Sequence, residues 1–76
     1  MVYPIYVKDA EAIRKLNRVA SEQEFSIYIS RDNAMTDLRS LLGLFAFLGK
    51  ECTLIAPDHA SPEAFAKALK RMGVLA

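Results

Sequence analysis

The 76-residue sequence predicts an α+β fold in which three helices cover one face of a small antiparallel sheet. Segments of alternating or β-branched apolar residues are interleaved with segments whose apolar residues recur at helical spacing. In chain order these segments predict β-α-β-β-α-β-α. The chain is 53% hydrophobic and long enough for one core, so residues 1–76 are predicted to form a single domain.

The first strand is predicted from Val2 to Val7, where β-branched and aromatic residues predominate. Pro4 has no backbone donor, which favours an edge position or a strand start. A helix is predicted from about Ala10 to Gln23, because its apolar residues fall at helical spacing. Asp9 is suited to be the N-cap of this helix.

The middle of the chain predicts a hairpin followed by an apolar helix. Apolar and polar residues alternate from Phe25 to Ser30, which indicates a half-buried strand. Arg31-Asp32-Asn33 is typical of a turn, and a short return strand is predicted from Ala34 to Thr36. The apolar helix is predicted from Asp37 to Leu48, entered near Asp37 or Ser40 and ended by Gly49.

The end of the chain predicts one more strand and one more helix. The strand runs from Cys52 to Ala56, with alternate residues on one face. Ser61-Pro62 is a well-formed helix start, with serine as N-cap and proline where its missing donor is harmless. The helix ends at Gly73, and one face is lined by Phe65, Ala68, Leu69 and Met72.

The run from Leu41 to Leu48 contains no polar side chain, yet it is far too short to cross a membrane. A helix of this composition cannot place all its apolar residues on one face. Either it is wedged between two layers and fully buried, or part of it faces outward as a docking surface. Self-association would bury the surplus in a third way.

Composition and charge exclude several function classes. A net charge of +1 gives no field for nucleic acid or an anionic membrane. The single Cys52 excludes an internal disulfide and fits a reducing compartment, and no signal peptide is visible, so we predict a cytoplasmic protein. No glycine-rich phosphate loop or metal-ligand spacing occurs, so we expect no cofactor and no metal.

Two tyrosines, Tyr6 and Tyr28, are predicted to project from the uncovered face of the sheet. Exposed aromatic residues at such positions serve either as cross-strand pairs that stabilise an open sheet or as an interface. The sequence leaves both readings open.

Two further segments give the chain a resemblance to the phosphocarrier HPr family of the bacterial sugar phosphotransferase system. Val19-Ala20-Ser21 is similar to the end of that family's first helix, and residues 39–45, Arg-Ser-Leu-Leu-Gly-Leu-Phe, are similar to its Lys-Ser-Ile-Met-Gly-Val-Met segment. The spacing between the two needs no gap, and the element order is the family's. The resemblance covers nearly all of the chain and implies an open-faced β-sandwich with strand order 1-4-2-3.

The resemblance also implies that the family's chemistry is absent. The catalytic segment Gly-(Ile/Leu)-His-Ala-Arg-Pro-Ala corresponds to residues 7–13, where Asp9 replaces the phosphoryl-accepting histidine and Glu11 replaces the phosphate-binding arginine. The family's reaction needs an imidazole and a cation at this helix end, and two carboxylates repel phosphate. We therefore expect no catalytic residue and no enzyme activity. His59 is predicted to lie in a turn at the opposite end of the sheet, so it is not a relocated active site.

Carried over from the family, Ser40 is the candidate phosphorylation site, and Leu41, Leu42 and Phe45 are the partner-binding residues. Leu44, Phe47 and Leu48 would then point into the core. This pattern implies a non-catalytic regulatory module that binds phosphotransferase-system or catabolite-regulation proteins. The alternatives are a phosphocarrier with a non-standard acceptor, Asp9 or His59, and a structural homodimer whose apolar helix is buried against its twin.

Overall fold

The computed structural model describes residues 1–57 and 62–73, and the side chains of residues 62–64 are outside that description. The sequence-predicted order of elements is confirmed. The elements are β1 (Val2–Tyr6), α1 (Ala10–Ser21), β2 (Tyr28–Arg31), β3 (Ala34–Asp37), α2 (Leu41–Leu44), a 3₁₀ helix (Phe45–Phe47), β4 (Glu51–Ile55) and α3 (Pro62–Met72).

The four strands form one antiparallel sheet in the order β1-β4-β2-β3, which confirms the α+β prediction. The central strand β4 pairs with β1 on one side, where Ile5 is opposite Cys52, and with β2 on the other, where Ile29 is opposite Leu54. β1 is an edge strand, so the missing backbone donor of Pro4 leaves the interior of the sheet intact.

The core lies on the face of the sheet that the helices cover. Strand residues Ile5, Ile29 and Leu54 are fully buried there, against Leu16 of α1 and Leu69 of α3. No charged or polar residue is buried in the part of the chain that the structure describes. The core is therefore a single apolar layer between sheet and helices. None of the described helices is long and apolar enough to span a membrane.

Helix α1 begins where the sequence predicts and ends two residues earlier. Asp9 is the N-cap, and its Oδ1 accepts a hydrogen bond from the backbone N–H of Ala12 at 2.9 Å. The predicted end at Gln23 is wrong, because the helix stops at Ser21. The Gln23 N–H donates to the carbonyl of Ala20 instead, a three-residue bond that tightens the last turn.

The predicted strand from Phe25 to Ser30 starts too early, since β2 begins at Tyr28. The preceding residues bond to the segment between β3 and α2. The carbonyl of Ile27 accepts from the N–H of Leu38 at 2.8 Å, and the carbonyl of Phe25 accepts from the Arg39 guanidinium at 3.1 Å. The Arg39 side chain thus bonds to the Phe25 carbonyl, a backbone acceptor that a longer β2 would use.

The predicted continuous helix from Asp37 to Leu48 is wrong. Asp37 ends β3, Ser40 is the N-cap of α2, and the chain tightens into a 3₁₀ helix after Leu44. Gly43 is needed here because a Cβ at this position would lie 2.6 Å from Oγ1 of Thr36. The predicted end is confirmed, since Gly49 has φ +76°.

The C-terminal elements agree with the prediction where they are described, except that β4 (Glu51–Ile55) begins and ends one residue before the predicted strand from Cys52 to Ala56. Cys52, Leu54 and Ala56 are buried on one face of the chain, and Phe65 and Leu69 are buried on α3. Gly73 has φ +69°, as a helix-ending glycine requires. The predicted N-cap Ser61 and the turn residue His59 lie outside the described residues.

Cys52 is predicted to be unreactive in the folded chain. Its side chain is buried, and burial raises the pKa of the thiol, although the charges of Arg31 and Lys50 act in the opposite direction. Because the thiolate is the reactive form, we expect labelling by a thiol reagent at neutral pH to be much slower in the folded protein than in the urea-unfolded protein. Equal rates in the two states would contradict this burial.

The raised pKa of the Cys52 thiol determines how this residue's contribution to stability changes with pH. A thiol whose pKa is raised by folding holds its proton more tightly in the folded state than in the unfolded state. The contribution of Cys52 to stability is therefore complete below the ordinary thiol pKa and decreases as the pH rises through the folded value. The free energies of unfolding of wild type and Cys52→Ala, measured by urea titration, are expected to differ less above about pH 9 than at pH 7.

Candidate functional site

The main candidate site is an exposed apolar surface on the second helical segment, formed by Leu41, Leu42, Phe45 and Leu48, which we call the helix patch. Leu42 is 87% exposed, and the other three are 41–42% exposed. Soluble proteins rarely expose large contiguous apolar patches, so this surface is a candidate interaction site. The three predicted partner-binding residues therefore lie together on the surface, which excludes the reading in which all the apolar residues are buried.

Leu48 is the exception to the prediction of which residues in this segment are buried and which are exposed. Leu44 and Phe47 are buried, as expected, but Leu48 lies at the surface beside Phe45. Its backbone has already left the helix, with φ −60° and ψ 130°, while its N–H still donates to the carbonyl of Phe45. The predicted core position of Leu48 is wrong, and the residue joins the helix patch.

Asn17 of α1 fixes the segment that leads into the helix patch. Its side-chain Nδ2 donates to the carbonyl of Leu38 at 3.2 Å and to that of Arg39 at 2.9 Å. A weak local signal for this role exists, since Asn17 is a polar residue beside the apolar stripe of Ile13, Leu16 and Ala20. Sequence analysis did not identify it.

Arg39 holds the same segment from the other side, and its role was also missed. Its Nη2 donates to the carbonyls of Gln23 at 2.9 Å and Phe25 at 3.1 Å, and its backbone N–H donates to Oδ1 of Asp37 at 2.8 Å. The two guanidinium bonds connect residues 16 and 14 positions apart in the chain. They tie the segment that leads into the helix patch to the residues between α1 and β2.

Ser40, the candidate phosphorylation site, is exposed at the start of α2. Its Oγ accepts a hydrogen bond from the N–H of Gly43 at 3.3 Å, so the hydroxyl serves as the helix cap. The Ser40 carbonyl accepts from the N–H of Leu44 at 3.1 Å. The hydroxyl is thus accessible and directly adjacent to the helix patch.

The start of α1 holds two carboxylates, those of Asp9 and Glu11. Asp9 is occupied in capping the helix, and Glu11 lies 3.7 Å from Nζ of Lys15. A cleft of about 100 Å³ is lined here by Lys8, Asp9, Glu11, Ala12, Lys15 and Met72. Within residues 1–57 and 62–73, no three acidic, histidine or cysteine side chains are grouped as metal ligands. Among the described residues that line this cleft, none is a histidine or an arginine.

The arrangement of the sheet and helices is shared with a protein of known structure. The structure matches the crystal structure of HPr-C-His from Thermoanaerobacter tengcongensis with a TM-score of 0.74, over 95% of this chain and 89% of that chain. The fold is HPr-like. Sequence identity over this match is 22%, so the likeness concerns the fold. No protein-family model matches the sequence, and no curated protein matches it.

The HPr-like fold carries one further cleft, which no sequence motif signalled. It has a volume of about 430 Å³ and is lined by Arg31, Asp32, Asn33, Ala34, Ala46, Phe47 and Lys50. Both cations already donate to backbone carbonyls: Arg31 Nη1 bonds to Glu51 at 2.7 Å and Lys50 Nζ to Ala46 at 3.2 Å. These bonds hold the β2–β3 turn and the end of the 3₁₀ helix to the sheet.

Proposed function

We propose that this chain is a non-catalytic, cytoplasmic regulatory module that binds protein partners through the helix patch. The partners we propose are proteins of the phosphotransferase or catabolite-regulation systems. The exposure of Leu42 and its apolar neighbours carries this proposal, because removing exposed apolar surface from water is the main favourable term in most protein–protein association. Asn17 and Arg39 bond to the backbone around the start of α2 and so help to order the segment that presents these side chains.

We base the proposed absence of catalysis on the residues at the start of α1. An acceptor of the family's type must be an imidazole, and the residue at that position is a carboxylate already engaged by the N–H of Ala12. Glu11 adds a second negative charge where a cation would hold the phosphoryl group. Lys8 and Lys15 balance the two carboxylates in this cleft, so the proposal rests on the engaged carboxylate at the acceptor position and not on net repulsion.

The proposal is tested by the double substitution Leu42→Glu plus Phe45→Glu. Both side chains are exposed, so the fold is expected to be retained, whereas two carboxylates in an apolar interface are strongly unfavourable. We expect at least about 30-fold weaker capture of phosphotransferase-system and catabolite-regulation proteins, the size of a hot-spot loss. Affinity is measured on the immobilised chain.

Lys67→Glu is the matched control, since it changes the net charge by the same amount at an exposed position on α3. It is expected to leave capture unchanged. If the double variant retained wild-type solubility, oligomeric state and capture, the docking proposal would be wrong. If the chain were a purely structural dimer, the double variant would lose the dimer. Wild type would then capture no other protein.

We further propose Ser40 as a regulatory phosphorylation site beside the helix patch. Its hydroxyl is exposed, and added phosphate near the start of a helix and beside Arg39 is electrostatically tolerated. Incubation with HPr kinase/phosphorylase and ATP is expected to add one phosphate, read by intact-mass spectrometry. The Ser40→Ala variant is expected to add none, and equal labelling of both proteins would exclude this site.

A further inference from the structure

The cleft between the β2–β3 turn and the end of the 3₁₀ helix, which we call the turn cleft, has no part in the proposed function. Its volume of about 430 Å³ is within the range of small-molecule sites, whereas the cleft at the start of α1 has only about 100 Å³. Two cations from different segments line it: Arg31 is the last residue of β2, and Lys50 directly precedes β4. The turn cleft therefore combines room for a small molecule with two positive charges.

The positive charge of Arg31 is only weakly compensated within the described part of the chain. Its Nη1 donates to the backbone carbonyl of Glu51 at 2.7 Å, and a carbonyl carries no net charge. The ion pair described for Arg31 is with Asp32, whose Oδ2 lies 3.9 Å from Nε and whose side chain is 87% exposed. An exposed pair at this distance contributes little. Arg31 therefore keeps its charge and most of its N–H donors for another acceptor.

Lys50 is also held by a neutral acceptor. Its Nζ donates to the backbone carbonyl of Ala46 at 3.2 Å, and within residues 1–57 and 62–73 it forms no ion pair. Main-chain carbonyls thus orient both cations of the turn cleft and leave their charges uncancelled. Long side chains that are already held in this way lose less rotamer freedom when a ligand binds than free ones do.

The rest of the turn cleft adds an apolar wall and a neutral polar group. Ala46 and Phe47 of the 3₁₀ helix form the wall, and Asn33 lines the cleft from the turn. Asp32 is the one carboxylate among the described lining residues, so two cations outweigh a single anion. This lining suits a ligand that has an oxyanion at one end and a small apolar body at the other.

We infer that the turn cleft binds a small organic phosphate monoester, whose phosphate pairs with Arg31 and Lys50 and whose organic part lies against Ala46 and Phe47. The planar guanidinium matches two phosphate oxygens at once, and the lysine ammonium adds a point charge. A carboxylate brings one negative charge, whereas a phosphate monoester brings about −1.5 to −2 at neutral pH, so the two cations favour phosphate. No residue of the helix patch lines this cleft, so the inference is independent of partner docking.

The test is an NMR titration of the full chain with phenyl phosphate, inorganic phosphate and benzoate. Phenyl phosphate is expected to give saturable shifts centred on the backbone amides of Asn33, Phe47 and Lys50. Inorganic phosphate is expected to shift the same amides with lower affinity, because it lacks the apolar body. Benzoate keeps the ring but has a single charge, so we expect it to bind at least about 10-fold more weakly than phenyl phosphate, the factor of one charge-assisted hydrogen bond.

Two variants each remove one cation of the turn cleft. Arg31→Gln and Lys50→Gln are each expected to weaken the binding of phenyl phosphate at least about 10-fold. The matched controls Arg14→Gln and Lys67→Gln remove the same charges at exposed positions outside the cleft, and they are expected to bind like wild type. Unchanged amide shifts in α1 and α3 before the titration show that each variant is folded.

Wild type alone can overturn the inference, whether or not the variants fold. It is overturned if no saturable shift occurs at the turn cleft, or if the shifts centre on the cleft at the start of α1, which Lys8 and Lys15 line. Equal binding of benzoate and phenyl phosphate would exclude the assignment to a phosphate. Equal weakening by the control variants would mean that the anion responds only to net charge. The titration contains no partner protein, so its failure is distinguishable from failure of the docking proposal.

Discussion

Phe65→Ala is expected to lower the free energy of unfolding by about 3–5 kcal/mol, the usual cost of removing a buried phenylalanine ring. Phe65 is 1% exposed on the inner face of α3. Its ring meets that of Tyr3 edge to face, with centroids 5.5 Å apart and planes at 75°. Truncation removes the apolar area, leaves a cavity and ends this aromatic contact.

The loss is large for a chain of this size, because 76 residues support a total stability of only about 4–11 kcal/mol. We expect the melting temperature to fall by about 15–30 °C. Lys67→Ala, two residues away and exposed on the same helix, is expected to change it little. Urea unfolding of both variants gives the comparison, and a loss below about 1 kcal/mol for Phe65→Ala would mean that α3 does not dock as described.

Incubation with enzyme I and phosphoenolpyruvate is expected to transfer no phosphoryl group to the chain, while an HPr with its histidine is fully labelled in the same assay. The Asp9 carboxylate caps α1 at 2.9 Å from the N–H of Ala12, and Glu11 is beside it. A carboxylate in a capping bond is a poor nucleophile, and it lacks the imidazole nitrogen that accepts the phosphoryl group in an HPr.

Asp9→Ala separates capping from chemistry in this experiment. It is expected to cost about 1 kcal/mol of stability, as loss of an N-cap does, and to leave labelling at background. Label on the wild-type chain that disappears in Asp9→Ala would contradict the proposed absence of catalysis and favour the phosphocarrier alternative. His59→Ala tests the other candidate acceptor in the same way.

The sheet and the two long helices could be predicted because their signals are local. Alternation in Cys52–Ala56 fixes which side chains face the core, and Asp9 and Gly73 are next to the helix ends that they form. The start of β2 could not be predicted, because a guanidinium 14 residues away takes the Phe25 carbonyl. No local pattern encodes such a bond.

The helix patch was predictable in composition and less so in geometry. Leu41, Leu42 and Phe45 were placed correctly from the family resemblance, and all three are exposed. Leu48 was misplaced because the prediction assumed one α-helix of 3.6 residues per turn. The chain changes to the tighter 3₁₀ winding after Leu44 and becomes extended at Leu48, which rotates that side chain outward.

The short second helix has a consequence for how the helix patch moves. Four α-helical and three 3₁₀ residues cannot sustain a helix in water, since isolated helices need about 12–15 residues. The segment depends for its backbone order on bonds to distant parts of the chain, from Asn17 to the carbonyl of Arg39 and from the Arg39 guanidinium to the carbonyl of Gln23. Its amides should therefore exchange with solvent deuterium by local opening, well before the core strands do. A bound partner would close that opening, so hydrogen exchange across Leu41–Phe47 reports occupancy of the surface in the intact protein.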